Sequence, residues 1–472
     1  MSETADRVDA DPDAAFLRWL RENGADVGAL EWPCVGAATG SRGCVAARDV
    51  APLEPLLRVP ESLVVTAPGA REELGVEPGL APLLAADDCA CLAAWLLVHR
   101  ELGAASRFHA YVRTLPSVHE CGAGVLDWSP AELAELQDAG DVLREVRERN
   151  AALETEFARV LAECPALAGA QAALRDYHWA HHTVQSRAFG RRLGHLALVP
   201  LADALNHGNV PIKYALEGGA FRLWMSGGRG VRRGEEALNS YGRLPNRKLL
   251  LDYGFCVLDN EWDFVQVALS VDEDAPFAER RRALLGRAGV RGATALLARD
   301  VVPDNLLRFY RVLVATGADL DAVERSPLGV ATALSHVVSV ENEARALAAA
   351  ERALQGLLDS APTSEADDLV ALRRATASQA RLAAALRYRV GRKRVLRLTR
   401  RFVAELGAVV GRARELGMEA VALRRIYPQA ASLVLDRVYF VTGSRGGLTK
   451  RPADAAAPAA ALEALLEAGG LG

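Results

Sequence analysis

Residues that could perform chemistry are concentrated in two segments of the chain. The first is 200–207 (PLADALNH), in which an aspartate is followed after two residues by an Asn-His pair. The second is 239–255 (NSYGRLPNRKLLLDYGF), which contains two Tyr-Gly dipeptides that begin at Tyr241 and Tyr253. Tyrosine rings attract ammonium and sulfonium groups, and a tyrosine hydroxyl can hydrogen-bond an amine and orient its lone pair. This combination indicates a site for a cationic, amine-bearing ligand.

These segments resemble the signature segments of SET-domain protein methyltransferases related to the Rubisco large-subunit lysine methyltransferase. An Asp-x-x-Asn-His motif alone is a weak match, but its combination with two Tyr-Gly dipeptides that bracket an Asn and an apolar run is specific. The resemblance implies transfer of methyl groups from S-adenosylmethionine to the side-chain amine of lysine in a protein substrate. Such an in-line displacement requires a neutral nitrogen held on the axis of the methyl carbon and the sulfur in a dry channel.

The resemblance also implies roles for individual residues. The two channel tyrosines, which are the implied catalytic residues, are Tyr241 and Tyr253. The residues implied to bind the cofactor are Glu54, Leu56, Arg187, Asn206 and His207, together with the same two tyrosines. The residues implied to bind the substrate are Asp203, Phe189 and Arg191. Arg187 is suited to its role because a guanidinium can pair with the cofactor carboxylate in a bidentate manner.

Two positions bear on the cofactor loop and on the acceptor atom. Where the family usually has Gly-x-Gly, this chain has 40–43 (GSRG), so the first glycine is displaced or replaced by Ser41. Phe189 occupies the place where a histidine-methylating relative has an Asn. Because an apolar ring cannot hydrogen-bond an imidazole, lysine is the expected acceptor. Histidine methylation and a non-catalytic SET-fold scaffold that binds a protein partner are the alternatives.

A metal site is not expected. His178, His181 and His182 fall on one helical face, but no carboxylate completes a site at helical spacing, so a partly buried surface face is the simpler interpretation. The seven cysteines form no Cys-x-x-Cys pair, and Cys89-Ala90-Cys91 has no matching second half for a structural zinc.

Composition limits the classes of partner and the compartment. The chain has 472 residues, 50% hydrophobic and 25% charged, with a net charge of −4. This balance is typical of a globular protein with two or three domains and carries no bias toward nucleic acid or membrane. The basic run at 387–401 could dock an acidic protein or RNA, but such runs are usually solvated helix faces. We expect a monomer whose binding partner is a protein substrate.

The N-terminal residues are acidic, unlike those of a transit peptide, and the scattered cysteines suit a reducing compartment. We therefore expect a cytoplasmic protein, with the nucleus as the alternative and plastid import disfavoured.

The hydrophobic periodicity predicts an α+β fold. Short β-like pieces at 12–70 and 185–270 are separated by a helical stretch at 71–184, which matches the family's small irregular SET core split by a helical insert. From 275 to 405 the pattern is helical and resembles the family's substrate-binding domain, which predicts an all-α C-terminal domain. Residues 406–472 match nothing familiar and include an Ala/Pro-rich linker at 455–461.

Local signals mark several element boundaries. Asp11 or Asp13 is expected to cap a first helix, and 362–364 (PTS) followed by Asp367 is expected to start another. The sequence 217–220 (EGGA), between two alternating segments, predicts a β-hairpin.

Overall fold

The computed structural model describes residues 11–36, 40–117, 124–137, 141–167, 172–190, 192–290, 294–299, 301–440, 461 and 464–465. They form two compact units. The first unit is drawn from Met1–Leu133, Asp138–Leu244 and Lys248–Gly254. The second is drawn from Ala134–Gln137, Pro245–Arg247 and Phe255–Gly472.

Short strands and longer helices alternate along the chain. The described strands are β1 (Leu30–Val35), β2 (Arg42–Ala46), β3 (Pro55–Pro60), β4 (Val65–Thr66), β5 (Ala197–Leu198), β6 (Ile212–Glu217), β7 (Ala220–Met225), β8 (Glu236–Ala237), β9 (Phe264–Ala268) and β10 (Thr294–Ala298). The described α-helices are α1 (Pro12–Glu22), α2 (Ala67–Glu73), α3 (Pro82–Ala86), α4 (Asp88–Leu102), α5 (His109–Val112), α6 (Pro130–Ala134), α7 (Asp141–Glu163), α8 (Leu174–Arg187), α9 (Asn246–Tyr253), α10 (Ala278–Arg287), α11 (Asp304–Leu313), α12 (Gly317–Glu324), α13 (Val330–Ser335), α14 (Val340–Asp359), α15 (Glu365–Arg374), α16 (Ala380–Glu415) and α17 (Ala420–Phe440). None of these helices is long and apolar enough to cross a membrane.

The first unit is built on small antiparallel sheets whose strands come from both sides of the helical stretch. In these sheets β2 lies between β1 and β8, β7 lies between β3 and β6, and β4 pairs with β5. Strands that precede the helices therefore pair with strands that follow them, and this arrangement closes the two segments around one hydrophobic core. Together with the largely helical second unit, this confirms the predicted α+β fold class.

The β6–β7 hairpin forms where the sequence predicts it. Gly218 and Gly219 occupy the turn with φ angles of 60° and 73°. Two consecutive positive φ angles define a turn whose twist matches that of the flanking strands, and glycine adopts them without steric cost.

Helices α4 and α8 pack against each other in the first unit. Asp87 caps α4 by accepting hydrogen bonds from the main-chain N–H groups of Cys89 and Ala90 at 2.8 and 2.9 Å. The middle of α4 is buried on all sides, which is why its sequence shows no polar face. Helix α8 packs against α4 and ends at Arg187. The Arg187 guanidinium is held by its hydrogen bond to the main-chain oxygen of Asp203 at 2.9 Å.

Two predicted helix starts are confirmed. The Asp11 side chain accepts a hydrogen bond from the main chain of Asp13 at 2.9 Å and caps α1. Ser364 and Asp367 form a reciprocal capping box at the start of α15, each side chain accepting from the other's main-chain N–H at 3.1 Å.

The second unit is mainly helical, with α14 and α16 as its main packing pair. A buried ion pair crosses its core, in which Arg311 contacts the Glu343 carboxylate through Nε at 2.6 Å and through Nη2 at 2.8 Å. Tyr427 also donates to Glu343. Full pairing is required here because an uncompensated charge at this depth would be costly.

The second unit also contains a two-stranded sheet, so it is not purely helical as predicted from residue 275. Strand β10 pairs with β9 from Thr294↔Ala268 to Ala298↔Phe264. This pairing also places β9, which falls within the predicted 185–270 segment, in the second unit. The run at 294–298 alternates between exposed and buried side chains, but a short apolar run does not distinguish strand from helix.

Part of the extension beyond residue 405 belongs to the core of the second unit. Helix α16 continues to Glu415, and buried side chains of α17, such as Leu423 and Val434, join the same hydrophobic cluster. The predicted linker at 455–461 lies outside the described residues except for its last position.

The basic run at 387–401 is largely an internal ion-pair network. Arg389 and Lys393 are buried against the carboxylate of Asp368, and Lys393 Nζ lies 2.6 Å from it. Arg394 and Arg397 pair with Glu365 at 3.0 and 2.9 Å. These contacts are structural, so this part of the run is not a freely solvated face.

Candidate active site

The two chemistry-bearing segments run side by side in the first unit. His207 and Asn239 form a parallel β-bridge. The main-chain N–H of Asn239 donates to Asn206 at 2.8 Å, and that of Gly208 donates to Asn239 at 2.9 Å. This pairing brings the Asn-His pair next to the segment that leads into Tyr241.

Tyr241 is held at both ends by the first segment. Its hydroxyl donates to the main-chain oxygen of Leu205 at 2.9 Å, and its main-chain N–H donates to Nδ1 of His207 at 3.2 Å. Its ring stacks on that of Tyr253, with centroids 4.8 Å apart and an interplanar angle of 24°. The structure thus brings Tyr241, Tyr253 and His207 together.

Burial sets the protonation states of these groups. Burial raises the pKa of Tyr241, although the nearby Arg187 opposes the shift, so its hydroxyl stays protonated at physiological pH. Burial also lowers the pKa of His207 to about 4. The His207 ring is therefore neutral, which allows Nδ1 to accept the hydrogen bond from Tyr241.

Asp203 is a buried carboxyl group beside Arg187. The Tyr111 hydroxyl donates to Oδ2 of Asp203 at 2.5 Å, and Nη1 of Arg187 donates to its main-chain oxygen at 2.9 Å. Burial raises the pKa of Asp203 to about 6, and Arg187 and Tyr111 oppose this shift. The carboxyl group is therefore mostly ionised at neutral pH and becomes protonated in mild acid.

The Asn206 side chain ties β2 and β8 to the site. Its Nδ2 donates to Glu236 Oε1 at 2.9 Å and to the main-chain oxygen of Arg42 at 3.3 Å. A Cβ added at Gly43 would lie 2.4 Å from that same Nδ2. Only glycine leaves room for this approach, which explains its presence in the 40–43 loop.

A cavity of about 120 Å³ lies beside this cluster, and its polar lining residues are Arg42, Tyr111, Thr114, Arg187 and Asp203. Among the described residues, no carboxylate lies within ion-pair distance of the Arg187 guanidinium. Outside the cavity lining, two residues before Tyr241, Oδ1 of Asn239 is buried and has no hydrogen-bond partner among the described residues. The guanidinium of Arg187 and the carboxylate of Asp203 in the cavity wall suit a ligand with both anionic and N–H groups.

The side chains of Glu54 and Leu56 are engaged in contacts of their own, and neither residue lines this cavity. The Glu54 carboxylate accepts hydrogen bonds from Arg48 at 2.6 Å and from the main-chain N–H of Ala51 at 2.9 Å. It therefore stabilises the loop at residues 48–54. Leu56 is 1% exposed within the hydrophobic core. The cavity wall is instead formed by the 40–43 segment through Arg42.

Phe189 also lies in the core. Its ring packs edge-on against Tyr214 and Phe221, each with a centroid distance of 5.0 Å. A preference for lysine over histidine therefore cannot be based on this ring. Arg191 lies outside the described residues.

The three histidines of α8 are largely buried and lie close enough to affect one another electrostatically. His181 Nε2 lies 3.9 Å from Glu156, and burial lowers the pKa values of His181 and His182 to about 4 each. His182 is 5% exposed, so it is a core residue and not part of a surface face. No group of three His, Cys, Asp or Glu side chains in the described part of the chain could hold a metal ion.

Three contributors to the site were missed by sequence reasoning, namely Arg42, Tyr111 and Glu236. Tyr111 and Glu236 reach the site only through tertiary contacts over 92 and 30 residues of sequence separation. Arg42 lies in the 40–43 loop, where the glycine pattern drew attention to the backbone and not to the arginine between the glycines.

Comparison with known proteins supports the resemblance seen in the sequence. Residues 272–396 match the family model described as Rubisco LSMT substrate-binding. The chain is 26% identical over 267 residues to the ribosomal lysine N-methyltransferase set10 of Schizosaccharomyces pombe, covering 53% of this chain and 46% of that protein. It is 32% identical over 107 residues to the protein-lysine N-methyltransferase EFM1 of Saccharomyces cerevisiae, covering 20% of this chain and 18% of that protein. The chain thus spans less than half the length of either relative.

The fold has a counterpart among solved structures. The structure of Rubisco LSMT bound to AdoMet superimposes with a TM-score of 0.64 at 24% identity, covering 85% of this chain and 93% of that one. The predicted resemblance is therefore confirmed: the fold is similar to that of Rubisco LSMT, and residues 272–396 match the family model described as Rubisco LSMT substrate-binding.

Proposed function

We propose that this chain transfers methyl groups from S-adenosylmethionine to the side-chain amine of lysine in a protein substrate. The observation that carries the proposal is Tyr241, clamped between Leu205 and His207 and stacked on Tyr253, next to a cavity walled by Arg187 and Asp203. The lysine N-methyltransferase names of both relatives and the AdoMet-bound structural counterpart support it.

The residues around the cavity fit such a cofactor. Arg187, which lines the cavity, would pair with the carboxylate of the cofactor, and the Asn206-His207 pair, which follows the cavity-lining residues Asp203 and Ala204 in the chain, would lie beside it. When bound, the cofactor supplies an electrophilic methyl group on a cationic sulfur. The Tyr241 and Tyr253 rings would stabilise that positive charge and exclude water from the reacting atoms.

Tyr241 would position the amine and not deprotonate it. Its raised pKa keeps the phenol neutral, and its proton is already donated to Leu205. The hydroxyl oxygen can therefore accept a hydrogen bond from an amine N–H and aim the nitrogen lone pair.

We further propose that residues 272–396 dock the protein substrate, as the description of the matching family model suggests. This unit exposes large apolar side chains, among them Phe277 at 50% and Leu296 at 50%. Apolar side chains are buried at the centre of protein–protein contacts, so an exposed one in this unit is a candidate contact residue. Leu296→Asp should raise the KM for an intact protein substrate while leaving the KM for a short lysine peptide unchanged, and equal KM shifts for both would contradict this docking role.

A transfer assay tests the proposal as a whole. Purified protein, S-adenosylmethionine with a tritiated methyl group and a cell lysate should give labelled protein bands, and Tyr241→Phe should remove them. A folded wild-type protein that labels nothing would favour the scaffold alternative, and full labelling by Tyr241→Phe would refute the role of the hydroxyl.

A further inference from the structure

A second cavity lies in the first unit, between α4, α8 and the segment 109–117. Its volume is about 510 Å³, compared with about 120 Å³ for the cavity that Arg187 and Asp203 line. A volume of this size is typical of sites for small molecules. No motif in the sequence assigns a role to this second cavity, and methyl transfer makes no use of it.

The base of the second cavity is apolar and buried. Val112, Leu115 and Trp179 line it and are 8%, 7% and 3% exposed. The indole N–H of Trp179 already donates to the main-chain oxygen of Pro116 at 2.7 Å, so its hydrogen-bonding capacity is satisfied within the protein. This part of the lining therefore suits the apolar body of a ligand and not a second polar group.

The charged lining of the second cavity is mainly basic. Among the described residues it consists of the guanidinium groups of Arg100, Arg113 and Arg175 and the carboxylate of Asp176. Asp176 pairs with Arg100 at 2.9 Å and accepts the main-chain N–H of Ala173 at 2.9 Å. The carboxylate is thus already engaged, and two positive charges remain in excess although the whole chain has a net charge of −4.

Two of the three guanidinium groups are available to a ligand. Arg113 is exposed and forms no ion pair within the described part of the chain. Arg175 is 55% exposed, and its Nη2 lies 4.0 Å from the carboxylate of Asp127, at the limit of an ion pair. Arg100, in contrast, is fixed on the Trp179 ring, whose centroid lies 4.8 Å from the guanidinium carbon.

We propose that the second cavity binds a small molecule with an apolar body and a doubly charged anionic group, such as a phosphate monoester. The charge follows from the excess of two guanidinium groups in the lining, since a phosphate monoester carries about −1.5 to −2 at pH 7. Guanidinium groups match phosphate oxygens in bidentate geometry, so Arg113 and Arg175 hold the anionic group. The apolar body packs on Trp179. This proposal does not depend on the proposed function.

Isothermal titration calorimetry with phenyl phosphate tests the proposal on the full chain, and phenol serves as the uncharged probe. Wild-type protein should bind phenyl phosphate with a Kd of about 1 mM or lower and should not bind phenol measurably. The double variant Arg113→Leu/Arg175→Leu should bind phenyl phosphate about tenfold more weakly or worse. The matched control is Arg144→Leu/Arg147→Leu, which removes two exposed arginines of α7 and should bind as wild type does.

A further variant separates the two cavities, because the cavity beside Asp203 also contains an arginine. Arg187→Leu should bind phenyl phosphate as wild type does. Lost binding in Arg187→Leu with unchanged binding in Arg113→Leu/Arg175→Leu would place the anion in the other cavity and overturn the proposal. Folded wild-type protein that binds no phenyl phosphate, or that binds phenol equally well, would also overturn it. Thermal unfolding of each variant checks that it is folded.

Discussion

The hydroxyl of Tyr241 donates to the main-chain oxygen of Leu205 at 2.9 Å, and Leu205 immediately precedes the Asn206-His207 pair. The tyrosine is therefore anchored to the segment that lines the cavity. Because the hydroxyl proton is donated in this contact, the hydroxyl oxygen can act toward a ligand only as a hydrogen-bond acceptor.

Removing that hydroxyl tests its role. Tyr241→Phe keeps the ring stacked on Tyr253 but lacks the acceptor, so kcat should fall about 10²-fold while affinity for S-adenosylhomocysteine changes little. Steady-state kinetics and calorimetry measure the two effects. Tyr214→Phe is the control, because Tyr214 packs in the core against Phe189 and Phe221. Equal losses in both variants would indicate a general packing effect.

The close approach of Gly43 to Asn206 predicts a site-specific defect. In Gly43→Ala the new methyl group would meet Asn206 Nδ2 at 2.4 Å, so the asparagine must leave Glu236 and Arg42. We expect affinity for S-adenosylhomocysteine to fall at least tenfold in calorimetry. Gly227→Ala, where nothing lies within 4 Å of the added atom, should bind as wild type does. A Gly43→Ala variant with unchanged affinity would contradict the assigned contact.

The pKa of Asp203, raised to about 6 by burial, predicts opposite pH trends in activity and stability. Protonation below about pH 6 removes the carboxylate from the cavity, so kcat/KM should fall with a slope of one toward acid. Stability runs the other way: the folded carboxyl binds its proton more tightly than the unfolded one, so its contribution decreases by about 3 kcal/mol as pH rises from about 4 to 6.

Asp203→Asn separates these effects. Its kcat/KM profile should lack the acid limb near pH 6, and the difference in unfolding free energy between the variant and wild type should grow in favour of the variant from pH 4 to 6. An acid limb that persists unchanged in Asp203→Asn would assign that titration to another group.

The buried pair of Arg311 and Glu343 predicts a large stability effect far from the chemistry. Glu343→Gln leaves the Arg311 charge uncompensated at 1% exposure, and unfolding should become easier by about 3–5 kcal/mol. Arg412→Met is the control, since its pair with Glu415 is 47% and 70% exposed and contributes about 1 kcal/mol or less. Thermal unfolding measures the stability of both variants. Comparable losses of stability in Glu343→Gln and Arg412→Met would contradict the assigned burial of the Arg311–Glu343 pair.

Sequence reasoning succeeded where the signal is local. Gly218 and Gly219 mark a hairpin because only particular residues suit its dihedral angles, and the Ser364 and Asp367 spacing marks a helix start for the same reason. Each of the two motifs that contain His207, Tyr241 and Tyr253 is also read within a few residues, and the structure brings these three side chains together.

Sequence reasoning failed where tertiary contacts determine the structure. The strand at 294–298 needed its partner at 264–268 to be recognised. The contacts of the Glu54 carboxylate with Arg48 and Ala51 were not predicted, and Arg42 and Tyr111 line the cavity only because distant segments pack there. No periodicity carries such information.

Tandem mass spectrometry of a labelled substrate tests the central claim most directly. A protein substrate retained by the Tyr241→Phe variant from a lysate is incubated with wild-type enzyme and S-adenosylmethionine that carries a trideuterated methyl group. We predict the label on the Nζ atom of one or a few lysines, with none in the Tyr241→Phe reaction. Label on an imidazole nitrogen, or no label from folded wild-type protein that binds the cofactor, would contradict lysine methylation as the function of this chain.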